Sequence, residues 1–124
     1  MSLLFGSGDD GVTGDKGICP NDTFVAWWPG SSPYVTAVGA TEEFESQGAT
    51  FSGGGFSNRY AIPAYQATAV AQYKTKTRDS APPTSYWNSS GAGFPDVAAV
   101  GMNYWTCMFP FPLISDHEIF FLCY

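Results

Sequence analysis

Leu3-Leu4-Phe5-Gly6-Ser7-Gly8-Asp9-Asp10-Gly11 carries three apolar residues straight into a run of small and turn-forming ones. The apolar run reads as a short buried strand. A loop of Gly, Ser and Asp directly behind it is the turn expected at the carboxyl end of a strand in a parallel α/β sheet. Tyr34-Val35-Thr36-Ala37-Val38 is a second strand, β-branched and closed by Gly39. The connection between the two is long enough for a crossover, so residues 3–7 and 34–38 are expected side by side and parallel. Residues 12–33 hold Pro20, Pro29 and Pro33 and read as irregular.

One helix is expected, from about Pro63 to residue 77, packed on a face of the sheet. Proline suits a first helical turn. Tyr65, Ala69, Val70 and Tyr73 then recur at helical spacing, and Asp79, Pro82 and Pro83 end the run. Glu42, Glu43 and Glu45 mark an exposed loop, Gly53-Gly54-Gly55 a backbone free to approach another chain closely, and Tyr104-Trp105 a last short strand. The fold class is α/β.

The 124 residues fit one small domain. Their 14 Gly, 9 Pro and 21 aromatics, with only 13% charged residues, exclude a coiled coil or helical bundle and argue against disorder. Eleven acids against five bases give a net charge of −6. Lys74, Lys76 and Arg78 are too few to track a phosphate backbone, so no nucleic-acid partner is expected. No run is apolar enough to span a membrane, and residues 1–5 lack the features of a signal peptide. Two glycosylation sequons, Asn21-Asp22-Thr23 and Asn88-Ser89-Ser90, nevertheless give the chain a secretory look.

Cys19, Cys107 and Cys123 are an odd number, leaving a pair plus a free thiol, or a partner elsewhere, open. With His117 as the only histidine, they fit no zinc spacing. Asp9, Asp10 and Asp15 miss the calcium-loop pattern. A nucleophile elbow, a paired-histidine metal motif and both phosphate-binding Gly patterns are absent from the sequence. What remains is a carboxylate, Asp9, in a loop at the carboxyl end of a strand, where α/β folds place their sites. The alternative is that Asp9 caps a turn through its side chain.

Five segments, in order, resemble the sedolisins, the serine-carboxyl peptidases. Ser7-Gly8-Asp9-Asp10-Gly11 is similar to the family's S-G-D-[S/D/Y]-G, and Pro29-Gly30-Ser31-Ser32-Pro33-Tyr34-Val35-Thr36-Ala37-Val38-Gly39-Ala40-Thr41 to its P-[AS]-[SC]-[SC]-P-[YF]-V-T-[AS]-V-G-[GA]-T. Ser52-Gly53-Gly54-Gly55-Phe56-Ser57-Asn58 is similar to S-G-G-G-F-S-N, and Pro63-Ala64-Tyr65-Gln66 with Ala69-Val70 to P-x-Y-Q-x-x-A-V. Asn88 to Ala99 resembles N-x-S-G-R-G-[YF]-P-D-V-[AS]-A. The secreted fungal members look nearest.

The resemblance implies an incomplete, subtilisin-like parallel sheet with a flanking helix, a secreted or lysosomal setting, an acidic working pH and peptide or protein substrates for the full-length parent. It implies that Asp9 is the oxyanion-hole residue. A tetrahedral intermediate needs preorganised donors, and a carboxyl group donates only while protonated, through acid pH or burial.

The departures are as informative. The family's Glu and Asp of the catalytic triad lie on a helix upstream of S-G-D, and only Met1 to Phe5 precede the loop here. Its nucleophile lies in G-T-S, but Thr106-Cys107-Met108-Phe109 stands in the corresponding place and no G-T-S occurs. The family's calcium site lies further downstream, so no cofactor or metal is expected in this chain, and the prosegment is missing. Ser32 stands where some members have Cys, which leaves Cys19 without that local partner, and Ala92 replaces the usual Arg. Residues 1–106 thus read as a central fragment of the peptidase domain, inactive alone. Residues 107–124, twelve of them Cys, Met, Phe, Leu, Ile or Tyr, read as a tail unlike the family, of the kind that an unspliced intron or a shifted reading frame produces. The alternative function is a noncatalytic secreted module that binds sugars or proteins through exposed aromatics.

Overall fold

The structure, a computed structural model, describes residues 1–14, 17–42, 47–102, 104–108 and 111–115, the last two segments as backbone. The readings made of Asp15, of Glu43 and Glu45, and of His117, Cys123 and the 116–124 end lie outside these residues.

Strand β1 (Leu4–Gly6) pairs in parallel with β2 (Thr36–Glu42), Leu4 opposite Thr36 and Gly6 opposite Val38. Strand β3 (Gln47–Gly48) turns back antiparallel on the end of β2, and β6 (Val97–Val100) runs parallel to β2. Val38 pairs with both Gly6 and Val97, and Thr41 with both Gly48 and Val100. Hence β1 and β3 share one edge of β2, and β6 takes the other. The expected parallel pairing of the first two strands is present, with β2 reaching further than Val38 because Gly39 and Ala40 continue the ladder to β6.

A second, two-stranded sheet joins β4 (Gly55–Ala61) to β5 (Gly91–Phe94) in antiparallel fashion, with a register shift between Phe56 and Ala61. Helix α1 (Ala67–Lys76) follows a single 3-10 turn at Ala64–Gln66, so Pro63 precedes the helical residues and imposes their start without a side-chain cap. Only Val70 of α1 is buried; Tyr65 and Tyr73 are 64% and 56% exposed. The helix packs near the β4–β5 ribbon, the Tyr73 ring 6.2 Å from that of Phe56 and a Cβ at Gly93 3.4 Å from Val70, and Lys74 reaches the Ser89 carbonyl and the Trp87 ring beyond it.

Strands β7 (Tyr104–Met108) and β8 (Phe111–Ser115) form a separate antiparallel hairpin, with Cys107 opposite Pro112. The expected strand at Tyr104-Trp105 is present and continues past residue 106. Pro112 lies in a strand that has one partner among the described strands, a place that tolerates its missing N–H.

The core is made of small side chains: Ala37, Val38, Ala40, Ala49, Ala92 and Phe94 are buried, joined by Ser7, Ser31, Ser32 and Ser57. One expectation is corrected here. The run Leu3-Leu4-Phe5 leads into and forms most of the first strand, but its residues are 46%, 61% and 38% exposed, so the strand is not buried. Its single neighbour among the described strands is β2, and no described layer covers its faces.

Two backbones approach very closely at Gly53. A Cβ there would overlap the Ser7 carbonyl oxygen and stand 2.9 Å from the Gly8 carbonyl oxygen, both main-chain atoms that cannot swing aside. Gly53→Ala is therefore expected to destabilise the chain by about 2–3 kcal/mol, seen as a lower urea midpoint, whereas Gly48→Ala, in open space, should leave the midpoint nearly unchanged.

Candidate functional site

The loop Ser7–Gly11 leaves the sheet where β1 ends. Ser7 N–H donates to the Val38 carbonyl at 2.9 Å and prolongs the β1–β2 ladder by one bond. Ser7 itself is buried. The loop then lies against residues 51–54: Gly53 N–H donates to Gly8 O at 2.6 Å, Gly11 N–H to Phe51 O at 3.0 Å, and Gly54 N–H to Gly11 O at 3.3 Å. Gly8 has φ +102°, a conformation that L side chains rarely adopt, and the Trp27 ring packs where its Cβ would be. Trp27 is fixed in turn by its indole N–H, which donates to Thr13 O at 3.1 Å. Glycine at position 8 thus serves both the turn and the packing of the aromatic wall.

Asp9 lies at the outer end of this loop, exposed to solvent. Its carboxylate makes no hydrogen bond among the described residues. The turn that follows is closed by the Asp10 backbone carbonyl, which accepts from Thr13 N–H at 3.0 Å and from the Thr13 hydroxyl at 2.8 Å. The turn-capping alternative therefore finds no side-chain bond in this geometry. An open cavity of about 510 Å³ begins three residues further on, lined by Val12, Ser52, Phe56, Gln66, Val70 and Tyr73 among others, and Asp9 is not in its wall.

The acid of the last motif segment, Asp96, does different work. Its backbone N–H donates to Ala37 O at 2.9 Å, and one carboxylate oxygen accepts from Ala37 N–H, also at 2.9 Å. The other oxygen accepts from the Gln66 amide at 2.9 Å. Gln66 also donates to Gly93 O and accepts from Gly93 N–H, both at 3.0 Å. One pair of side chains thus joins the entrance of α1, the end of β5 and the start of β2. The neighbouring Tyr65 hydroxyl donates to Pro33 O at 3.2 Å. Loss of solvation at that hydroxyl, and secondarily the charge of Asp96, raise its pKa above the ordinary tyrosine value, although the ring remains largely in solvent.

Ser32 is buried and its hydroxyl accepts from Tyr34 N–H at 3.3 Å, while Cys19 is a half-buried free thiol. Ala92, in the place of the motif's Arg, is 2% exposed and sits within β5. The aromatics weighed for a binding module form a cluster: Trp28 and Tyr34, 65% and 81% exposed, both pack on Tyr60, with ring centroids 6.3 Å and 6.1 Å apart. The Gln66–Asp96 pairing and the Trp28–Tyr60–Tyr34 cluster were not readable in the sequence, because their members stand about thirty residues apart and carry no shared pattern.

No family model matches the chain. Among curated proteins it is similar to tripeptidyl-peptidase 1 of Rattus norvegicus and of Mus musculus, each 43% identical over 123 residues that cover 93% of this chain. The Homo sapiens protein of the same name is 41% identical over the same span. The chain spans 22% of the length of these relatives.

Two expectations follow from the clamp. Asp96→Ala and Gln66→Ala should each lower stability by about 1–2 kcal/mol, reduced from the full value of a charged hydrogen bond by solvent exposure. Because the two residues share a bond, the double variant should lose less than the sum, with a coupling of about 0.5 kcal/mol or more in urea unfolding. In alkaline solution, the folded chain keeps the Tyr65 proton to higher pH than the unfolded chain does. The stability it supplies is whole below the ordinary value of about 10 and is lost as pH rises through the raised one. Tyr65→Phe should flatten that part of the urea-midpoint profile against pH.

Proposed function

The chain is a stretch of sedolisin-family sequence, and on that premise we propose that it forms the oxyanion side of an acid-acting serine-carboxyl peptidase, with Asp9 as the oxyanion-hole residue. The observation that carries this reading is the support given to the Ser7–Gly11 loop. It is anchored at its base by Val38, backed by Gly53 and flanked by Trp27, while the exposed Asp9 carboxyl group has no hydrogen-bond partner among the described residues. A donor that must meet charge only as it develops should be placed in advance and not consumed by its own protein.

The chemistry follows from the acid form. When a nucleophile adds to a peptide carbonyl, the carbonyl oxygen takes up negative charge. A protonated Asp9 would donate its O–H to that oxygen, and an ionised one would repel it. Similarity to tripeptidyl-peptidase 1 makes removal of short peptides from a chain end the first activity to test, and internal cleavage the second. The setting would be secreted or lysosomal, with peptides or proteins as substrates and no nucleic-acid or membrane partner. Calcium is assigned to the longer protein and no metal to these residues. A second reading, a surface for sugars or proteins, is favoured only by the Trp28–Tyr60–Tyr34 cluster.

Within these residues there is no G-T-S nucleophile and no assigned general base, so the isolated chain should not turn over a fluorogenic tripeptide at acid or neutral pH. Placed in a peptidase domain that supplies those groups, Asp9→Asn should lower kcat by about 10²–10³ with KM little changed. An unaltered kcat, or turnover by the isolated chain that Asp9→Asn abolishes, would overturn the assignment.

A further inference from the structure

Two sequons were noted in the sequence, and the structure separates them. Asn88 is half-buried and its side chain is engaged at both ends. Its amide donates to Ser57 O at 2.9 Å, and its oxygen accepts from the Ser90 N–H and hydroxyl. Asn21 is the opposite case. It stands exposed on the Pro20–Asp22 turn with φ 54° and ψ 34°, a left-handed conformation that Asn tolerates better than most residues. Its amide has no hydrogen-bond partner among the described residues. The turn is held by neighbouring atoms instead: the Thr23 hydroxyl and N–H both donate to Pro20 O, at 2.6 Å and 3.1 Å.

We propose that Asn21 carries an N-linked oligosaccharide. The inference rests on the secreted or lysosomal setting given above, and it concerns a surface remote in role from the proposed oxyanion residue. The co-reactant is a polyprenyl-diphosphate-linked oligosaccharide. A bond forms between the Asn21 Nδ2 and the anomeric carbon of the first sugar, the anomeric C–O bond to the diphosphate breaks, Nδ2 gives up one of its two protons, and the polyprenyl diphosphate leaves. No oxidation state changes. Transfer takes place on the entering chain, and the fold decides what the modification costs. At the exposed Asn21 the glycan displaces no side-chain hydrogen bond among the described residues, so the folded chain accommodates it in solvent.

The test is expression of the full chain behind a secretion leader in a eukaryotic cell, so that entry into the secretory lumen is imposed and does not depend on the peptidase reading. Peptide N-glycanase digestion followed by mass spectrometry should show Asn21 converted to Asp. One glycanase-sensitive mass step should vanish in Asn21→Gln and Thr23→Ala and persist in Thr23→Ser. Asn88→Gln should leave that step in place, which separates the two sites. Recovery of unmodified Asn21 from the secreted wild-type chain, or an Asn21→Gln chain with the full set of mass steps, would overturn the proposal. Neither result would bear on the Asp9 assignment, which is read by kcat.

Discussion

The carboxylate of Asp96 replaces a strand partner. It accepts the Ala37 N–H while its own N–H donates to the Ala37 carbonyl, so β2 meets a side chain and a main chain of the same residue. From that point β6 runs on as a regular parallel neighbour, Val97 opposite Val38. The second carboxylate oxygen holds Gln66, and Gln66 holds Gly93. Sheet, ribbon and helix entrance therefore depend on one acid whose two oxygens face two different elements. An amide could satisfy one of these donors but would present a donor of its own to the other.

The five motif segments, scattered from Ser7 to Ala99, come together around this point. The segment at Ser52–Asn58 backs the Ser7–Gly11 loop, the segment ending at Thr41 supplies β2, and those at Pro63–Gln66 and Asn88–Ala99 supply the clamp. Around it, several large apolar side chains remain exposed. Leu4, Val97 and Val100 of the parallel strands are 61%, 52% and 40% exposed. Parallel sheets are ordinarily covered on both faces, and the described residues leave these side chains uncovered.

The pairing of β1 with β2 was legible because each is a compact apolar run bounded by Gly or Pro, and the length between them excludes a hairpin. The burial of β1 was misjudged because an apolar run reports a preference for burial and says nothing of whether a covering layer exists. Strand β4 was hidden by Gly53-Gly54-Gly55, which reads as loop, although Phe56 and Tyr60 within Gly55–Ala61 suit a ribbon. For the candidate site, the place of Asp9 after a strand was readable. What holds its loop in place was not, since Trp27, Phe51 and Gly53 are brought to it only by the fold. The helix was found within a few residues because Pro63 and the spacing of Ala69, Val70 and Tyr73 agree, but its packing partner was not, since spacing names a face and not a neighbour.

The shared edge of β2 has a consequence for where the Asp9 loop leaves the sheet. Along that edge β1 occupies the positions opposite Thr36 to Val38, and the Ala49 N–H bond to Ala40 O followed by Gly48 opposite Thr41 occupies the far end. Only Gly39 lies between the two claims. Continued straight, the first strand would run head-on into the returning hairpin, so its length is set by traffic along a single lane and not by its own residues. The chain must veer out of the sheet at Ser7, and the first residue to reach open solvent beyond the glycine that makes the swerve is Asp9. A longer β3 would claim the positions that β1 now holds, so a two-residue strand helps to set where the carboxyl group emerges.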